Sequence, residues 1–258
     1  MCLIALAHRL HPGFPLVVAA NRDEFYARPT AAAAFWEDQP DILAGRDLEC
    51  MGTWLGVTRG GRFAAVTNYR DPADARTGVE SRGTLVSRFL GGSMSAGQFF
   101  NDVAAHGDAY RGFNLLASDG TDLYSYSNRA GAPRRLEPGI YGLSNHLLDT
   151  PWSKVRIARD RLRAALEPAP ALEPLFSLLA DTNTSSDSEL PQTGVGHERE
   201  RLLSAARIVS ESYGTRCSTV VLQVSDGRVQ FAERTYGPEG VELSTVRYEF
   251  GAATRPSG

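Results

Sequence analysis

The sequence predicts an α+β fold in which antiparallel sheets are covered by helices. Short apolar segments bounded by glycine, proline and polar residues occur at the beginning, middle and end of the chain, and helical periodicity fills the two intervals between them. The chain lacks the regular alternation of strand and helix that is typical of parallel βαβ units. We expect one domain over residues 1–258, because no linker, internal repeat or low-complexity tract divides the sequence.

The N-terminal region predicts two hairpins. Residues 2–8 are expected to form a strand that turns at residues 10–15 and returns at residues 16–20. A second pair of strands is expected at residues 53–58 and 62–68, with two glycines between them that permit the positive φ of a tight turn.

The remaining elements are expected in the order helices, strands, helices, strands. Helical periodicity predicts helices at residues 81–90, 96–105, 151–166, 172–180 and 197–209. Short apolar segments predict strands at residues 113–118, 122–127, 140–144, 218–224 and 229–235.

The composition is that of a globular protein and disfavours several classes of partner. The 258 residues are 42% hydrophobic and 22% charged, which is enough to form a sizeable core. The formal net charge is −3 without blocks of basic residues, so we expect no nucleic-acid partner. No apolar run approaches the roughly 18 residues of a membrane span, and no signal peptide is recognisable. We therefore expect a cytoplasmic protein without integral membrane association.

The cysteines and histidines do not predict a disulfide framework or a metal site. Cys2, Cys50 and Cys217 form no CxxC pair, and we expect Cys50 and Cys217 to be buried small hydrophobic residues. The five histidines show no HExxH or other metal-ligand spacing. We expect no metal and no cofactor.

Cys2 is the first candidate for chemistry. A small residue after the initiator methionine permits removal of Met1, which would leave a thiol and a free α-amine on one residue. An α-amine has a pKa of about 7.7 to 8.0, so it can take the proton of the nucleophile and return it to a leaving group. Position alone is weak support, because an apolar N-terminal strand is often only a strand.

The predicted hairpin places polar residues beside the thiol. A turn near residues 11–12 would pair Cys2 with Asn21 or Arg22 on the returning strand. Arg22 is expected to hold the thiolate or a substrate carboxylate, and Asp23 to orient the amine. The alternative is a charge cluster at the end of a strand that only water solvates.

The combined motifs resemble the NRDE family, which contains the transport and Golgi organisation protein 2 group. They cover nearly the whole chain: Met1-Cys2-Leu3-Ile4, Asn21-Arg22-Asp23-Glu24, Gly45-Arg46-Asp47, Gly52-Thr53-Trp54-Leu55-Gly56, Val66-Thr67-Asn68-Tyr69-Arg70, Ser81-Arg82-Gly83, Gly112-Phe113-Asn114-Leu115-Leu116, Gly142-Leu143-Ser144-Asn145, Pro151-Trp152, Lys154-Val155, Gly214-Thr215-Arg216-Cys217-Ser218-Thr219-Val220 and Glu233-Arg234.

A more distant resemblance to the bile-acid and penicillin V acylases suggests site residues. It implies Cys2 as nucleophile, Arg22 and Arg216 as the two assisting arginines, and Asn68 and Asn145 as the two asparagines. Asp23 departs from the acylase pattern, in which the aspartate lies further beyond its arginine, so its role as the residue that orients the base is less firmly implied. Asn68 is the first choice for an oxyanion donor, and Asn145 would share that role or orient the amine. A structural interpretation stays open, because asparagines also cap turns and arginines pair with surface carboxylates.

The resemblance implies a four-layer αββα fold of the N-terminal-nucleophile hydrolase type, with two antiparallel sheets between helical layers. It favours hydrolysis of a C–N amide bond of an unidentified small acylated substrate through a Cys2 acyl-enzyme. The alternative on the same fold is a non-catalytic protein that handles haem, lipid or acyl-coenzyme A, with Cys2, His8 or His11 as possible haem ligands. A structural partner-binding protein is a third hypothesis. The oligomeric state is not predicted.

Overall fold

Two antiparallel sheets form the centre of the molecule. The computed structural model describes residues 2–74, 76, 79–167 and 169–251. The strands of the first sheet, in spatial order, are β10 (Gly139–Leu143), β1 (Cys2–His11), β2 (Phe14–Phe25), β11 (Tyr213–Gln223), β12 (Arg228–Tyr236) and β13 (Glu242–Gly251). Those of the second are β3 (Thr30–Phe35), β4 (Ile42–Asp47), β5 (Leu55–Thr58), β6 (Phe63–Asn68), β7 (Phe113–Ser118), β8 (Leu123–Ser127) and β9 (Ala130–Arg135). We call them the β1 sheet and the β6 sheet.

Alternation along β1 shows how the layers are stacked. Ile4 and Leu6 belong to a core that also contains Leu43 and Leu55 of the β6 sheet, so this face of β1 looks toward the other sheet. Leu3, on the opposite face, packs in a second core with residues of two helices. Complete burial of one such side chain contributes about 1.5 to 3 kcal/mol.

Helices cover the outer face of each sheet. The five described helices are α1 (Gly83–Gly91), α2 (Ala96–Ala105), α3 (Ser153–Ala165), α4 (Leu172–Leu179) and α5 (His197–Leu202). Helices α1 and α2 pack on the β6 sheet, and α3 and α4 pack on the β1 sheet. The predicted four-layer αββα arrangement is therefore confirmed.

The predicted hairpins and most helices are present, but four strands were missed. Strands β3, β9 and β13 lie at sheet edges and are largely exposed. Strands β3 and β9 lack the apolar alternation that marks a half-buried strand. Strand β13 has that alternation at Val246, Tyr248 and Phe250, which pack against the core between the sheets, and it was overlooked. The fourth, β4, ends in Gly45, Arg46 and Asp47, and glycine and aspartate are both depleted in strands.

Helix α5 is shorter than predicted. It was expected over residues 197–209 but ends at Leu202. The following backbone bonds to other parts of the molecule: the Ala206 carbonyl accepts from Asn21 Nδ2, and the Ile208 amide donates to Thr215 Oγ1. These tertiary hydrogen bonds replace the helical ones. In the part of the chain that the structure describes, no helix is long and apolar enough to cross a membrane.

Candidate active site

A cleft of about 930 Å³ is lined by residues of both sheets and by the segment that precedes α1. On the β1 sheet, its floor is a row of residues paired across adjacent strands. Cys2 pairs with Arg22, Arg22 with Cys217, and Cys217 with Thr235. Asn68 at the end of β6 lines the opposite side. The hairpin prediction that placed Arg22 beside Cys2 is thus correct.

The Cys2 thiol is buried, with only 6% of the residue exposed. Burial raises the pKa of this thiol above its ordinary value, and the neighbouring positive charge of Arg22 lowers it in part. The thiol is therefore protonated at neutral pH. Nucleophilic attack by Cys2 requires a base close to its sulfur.

Asn145 connects the Cys2 backbone to Asn68. Its Oδ1 lies 3.4 Å from the Cys2 nitrogen, which donates to it, and its Nδ2 donates to Asn68 Oδ1 at 2.9 Å and to the Asn68 carbonyl at 3.0 Å. Because Asn68 Oδ1 is used as an acceptor, the amide of Asn68 is oriented with Nδ2 free to serve as a donor. Within the described residues, no hydrogen-bond acceptor for Asn68 Nδ2 is found, and Asn68 lines the cleft.

Ser144 fixes this arrangement from the other side of Cys2. Its Oγ donates to the Cys2 carbonyl at 2.8 Å, and its own carbonyl accepts from Thr67 Oγ1 at 2.7 Å. The Asn145 carbonyl accepts from the Arg70 amide at 2.7 Å. The segment after β10 is therefore tied to both the nucleophile strand and the end of β6, so the positions of Cys2, Asn68 and Asn145 depend on one another.

Arg216 lies at a β-bulge, where the register between β2 and β11 shifts between Thr215 and Cys217. A bulge re-aims a side chain, and here it directs Arg216 toward the cleft. Arg216 Nη1 donates to the carbonyls of Phe25 and Arg28 at 2.9 Å each. Arg216 thus holds the chain beyond β2 while contributing positive charge to the cleft.

Asp23 lies on a different face of the sheet from the Cys2 side chain. Alternation along β2 directs Arg22 into the cleft and Asn21 toward the helices, where its Nδ2 donates to the Leu179 carbonyl. Asp23 shares the parity of Asn21, and its Oδ1 accepts from Thr215 Oγ1 at 2.7 Å. The negative charge of Asp23 still contributes to the raised pKa of Cys2. The orienting role predicted for Asp23 stays a prediction.

Two further titratable groups lie on the helix side of the sheet near Asp23. Lys154 at the start of α3 is buried and donates to the Leu203 carbonyl at 2.8 Å; burial lowers its pKa to about 8, against the opposing effect of Asp23. Tyr213 donates to the Asp23 carbonyl at 3.3 Å, and burial raises the pKa of its phenol.

Of the six predicted site residues, five line the cleft, namely Cys2, Arg22, Asp23, Asn68 and Arg216. Asn145 is fully buried beside the Cys2 nitrogen, and the buried carboxylate of Asp23 accepts from Thr215. Met1, whose removal the mechanism needs, lies outside the described residues.

The roles of Ser144 and Arg82 at the candidate site were not predicted from the sequence. Both occur in motifs that carried the family resemblance, but no role was assigned to them. Arg82 immediately precedes α1 and lines the cleft. The position of Ser144 near the site could have been predicted, because it precedes Asn145 in the same motif. The position of Arg82 in the same cleft as Cys2 depends on how the two sheets pack and could not be predicted from the motif.

The expected burial of Cys50 is wrong. Cys50 is exposed in the turn after β4, whereas Cys217 is buried as expected. Asp47 Oδ1 accepts from the Glu49 and Cys50 amides and so stabilises the turn at the surface. Among the described residues, no three His, Cys, Asp or Glu side chains come together to form a metal site.

Comparisons with known proteins agree with the motif content. A family model described as Transport and Golgi organisation 2 matches residues 1–238. The Transport and Golgi organization protein 2 homolog of Bos taurus is 37% identical over 97% of this chain and 99% of its own length. The Homo sapiens homolog is 36% identical over the same shares of both chains. A solved structure of a Caenorhabditis elegans N-acylethanolamine-hydrolyzing acid amidase ortholog aligns with a TM-score of 0.45 at 12% identity, over 86% of this chain and 92% of that chain. The family match over most of the sequence and the two homologs aligned almost end to end establish that this chain belongs to the transport and Golgi organisation 2 family.

Proposed function

We propose that this protein is an N-terminal cysteine hydrolase that cleaves the C–N amide bond of a small acylated substrate. One observation carries the proposal: Asn145 hydrogen-bonds both the nitrogen of Cys2 and the side chain of Asn68 at the wall of the cleft. After removal of Met1, the Cys2 nitrogen would be a primary amine held beside its own thiol.

In the proposed reaction, the α-amine takes the proton of the Cys2 thiol as the sulfur attacks the carbonyl carbon of the amide. The developing oxyanion accepts a hydrogen bond from Asn68 Nδ2, a contribution commonly of several kcal/mol. The C–N bond then breaks, the α-ammonium returns its proton to the leaving amine, and a thioester remains on Cys2. Water attacks the thioester with the α-amine again as base, which releases the carboxylic acid and restores the thiol.

The raised pKa of Cys2 fits this use of an internal base. A thiol that stays protonated at neutral pH needs a base to accept its proton as the sulfur attacks, and an α-amine of pKa near 8 can serve as that base. A preformed thiolate would need no base. Arg22 stands opposite Cys2 and would stabilise negative charge on the sulfur during attack.

The test begins with the intact mass of the untagged protein, which should lack methionine. The protein is then treated with an activated amide or ester that transfers an acyl group, and the modified peptide is identified by mass spectrometry. Because Cys50 is exposed and would react non-specifically, the experiment uses Cys50→Ala protein as the reference and Cys2→Ala/Cys50→Ala as its match. We expect acylation of residue 2 in the reference only. Retention of Met1, or equal acylation of both proteins, would overturn the mechanism and favour a binding role for the cleft.

A further inference from the structure

Six arginines line the cleft, and they differ in whether a carboxylate neutralises them. Arg28 lies 2.7 Å from Asp47, and Arg46 pairs with Asp38. By contrast, Arg82, Arg111 and Arg216 form no ion pair with any carboxylate of the described residues. The cleft therefore holds cationic groups that its own acidic residues do not neutralise.

Arg82 is an unneutralised arginine that the proposed chemistry does not use, and unlike the exposed Arg111 it is partly buried. Its Nη1 donates to the Gly112 carbonyl at 3.1 Å, which fixes the guanidinium at the cleft. Burial lowers the pKa of Arg82, and the negative charge of a Cys2 thiolate is the largest influence that raises it. Arg82 thus lines the same cleft as the proposed nucleophile, although it comes from a different part of the fold.

Arg22, a second arginine of the cleft, has a hydrogen-bond donor that the protein does not use. The residue is only 8% exposed, and its Nη1 has no hydrogen-bond partner within the described part of the chain. Its Nη2 lies 3.8 Å from Glu24, which is too far for a hydrogen bond. A guanidinium that is nine-tenths buried and keeps an unused donor next to a cleft is a ready partner for an oxyanion, because guanidinium groups bind carboxylate and phosphate through paired N–H donors.

We propose that the substrate carries an anionic group, a carboxylate or a phosphate, and that Arg82 and Arg22 bind this group beside the scissile amide. The proposal rests on the proposed function for the position of the amide, but the binding of the anion does not require turnover. Arg82 is partly buried without a carboxylate partner, and Arg22 is buried with one donor unused. An anionic ligand would neutralise the first and satisfy the second. Arg82 is then the residue that selects charged substrates over neutral ones.

Binding is tested in Cys2→Ala protein, so that chemistry cannot interfere. Glutarate, glycerol phosphate and neutral glutaramide are titrated by calorimetry at low ionic strength. We expect at least one anion to bind, and its affinity to fall about 10- to 100-fold in Cys2→Ala/Arg82→Gln, in line with the loss of a hydrogen bond to a charged group. Whichever of glutarate and glycerol phosphate binds more tightly identifies the oxyanion. Arg134→Gln in the same background is the matched control, because Arg134 is exposed on β9 and does not line the cleft.

The outcomes separate this inference from the proposed function. Failure of both anions to bind, equal binding of glutaramide, or an affinity that Arg82→Gln leaves unchanged would overturn the anion site. If an anion binds in a manner that depends on Arg82, but Cys2 is never acylated, then the anion site is supported and the hydrolase proposal is rejected. Thermal unfolding of each variant shows whether a lost affinity reflects lost folding.

Discussion

Asn68 and Asn145 form one hydrogen-bonded pair but should fail in different ways when changed. Asn145 is fully buried and bonds Cys2 and Asn68, whereas Asn68 is only partly buried and turns its free donor to the cleft. The two asparagines therefore have different roles. Asn145 holds Cys2 and Asn68 in position from the protein interior, whereas Asn68 lines the space in which an oxyanion would form.

We therefore predict that Asn68→Ala lowers the rate of Cys2 acylation about 10²- to 10³-fold, the usual cost of one oxyanion donor, with little change in stability. Asn145→Ala should lower the same rate and also destabilise the fold by about 1 to 3 kcal/mol, because it leaves buried polar groups without partners. Acylation kinetics and chemical denaturation of both variants check this. Equal stability losses in the two variants would contradict the division of roles.

Arg22 should control how readily Cys2 ionises. Burial raises the pKa of Cys2 and Arg22 opposes this, so Arg22→Gln should raise that pKa further and reduce the thiolate fraction at any given pH. We expect iodoacetamide to alkylate Cys2 several-fold more slowly in Arg22→Gln at pH 8, and its rate-versus-pH curve to move to higher pH.

Cys50 is the internal control for this measurement. It is exposed and its sulfur contacts Arg28, which the substitution leaves in place, so its alkylation rate should be the same in both proteins. An unchanged Cys2 rate in Arg22→Gln, measured against Cys50, would show that Arg22 does not stabilise the thiolate.

At the scale of single residues, part of the candidate site could be predicted from the sequence. The pairing of Cys2 with Arg22 could be predicted because a hairpin has a fixed two-residue alternation. Asn68 and Asn145 came from the resemblance alone, since no local pattern shows that residues 77 positions apart share a hydrogen bond. The surface position of Cys50 was not predictable, because the turn that exposes it depends on the unrecognised strand β4.

At the level of elements, α5 is attached to the strand that carries Asn68 by a buried ion pair. Arg70 Nη1, just beyond β6, lies 2.6 Å from Glu200 Oε2, and both side chains are 4% exposed. Glu200 Oε1 also accepts from the amide and hydroxyl of Thr193. The pair therefore connects the end of the β6 sheet to the helical side of the molecule.

We predict that Glu200→Ala destabilises the protein by about 3 to 5 kcal/mol, because it removes the carboxylate from a buried arginine. Glu198→Ala is the matched control: it lies on the same helix but is exposed, and should change stability by less than about 0.5 kcal/mol. Denaturant unfolding checks both. A small effect of Glu200→Ala would mean that the remaining contacts of Arg70 suffice to hold its charge.

Strand β9 and helix α5 were mispredicted for a common physical reason. Strand β9 contains Gly131 and Pro133, residue types that are depleted in strands, and becomes a strand because β8 offers it a ladder of hydrogen bonds. Helix α5 reads as a longer helix and stops where Asn21 and Thr215 bind the backbone that follows. In both cases tertiary partners, which no local window contains, outweigh intrinsic propensity.

At the scale of the whole molecule, the candidate site exists only when the two sheets are packed together. Cys2 and Arg22 belong to the β1 sheet, Asn68 ends a strand of the β6 sheet, and Arg82 precedes the helix that covers that sheet. The four-layer arrangement followed from the resemblance, whereas patterns within the sequence supported only α+β. Packing between layers is a long-range property, so spacing along the chain does not specify which residues meet across the cleft.

The final prediction concerns pH and the stability of the whole fold. Lys154 is the only lysine in the sequence, is buried against the β1 sheet, and has its pKa lowered from 10.5 to about 8 by burial. Between these two values the unfolded chain binds more protons at Lys154 than the folded chain does, so its titration makes the folded state more stable as pH rises. The full burial penalty is therefore present below pH 8 and is relieved toward pH 10.5.

We expect Lys154→Met to remove this dependence. A shift of this size corresponds to about 3 kcal/mol, so the free energy of unfolding of the wild type should rise relative to that of Lys154→Met by up to about this amount between pH 7 and 10.5. Other groups titrate in both proteins and cancel in the difference. Urea denaturation at several pH values measures it, and the loss of the hydrogen bond to the Leu203 carbonyl adds a constant offset that does not vary with pH. If the two curves stay parallel over this range, Lys154 keeps an ordinary pKa in the folded protein, and the region beside Asp23 is more hydrated than its burial indicates.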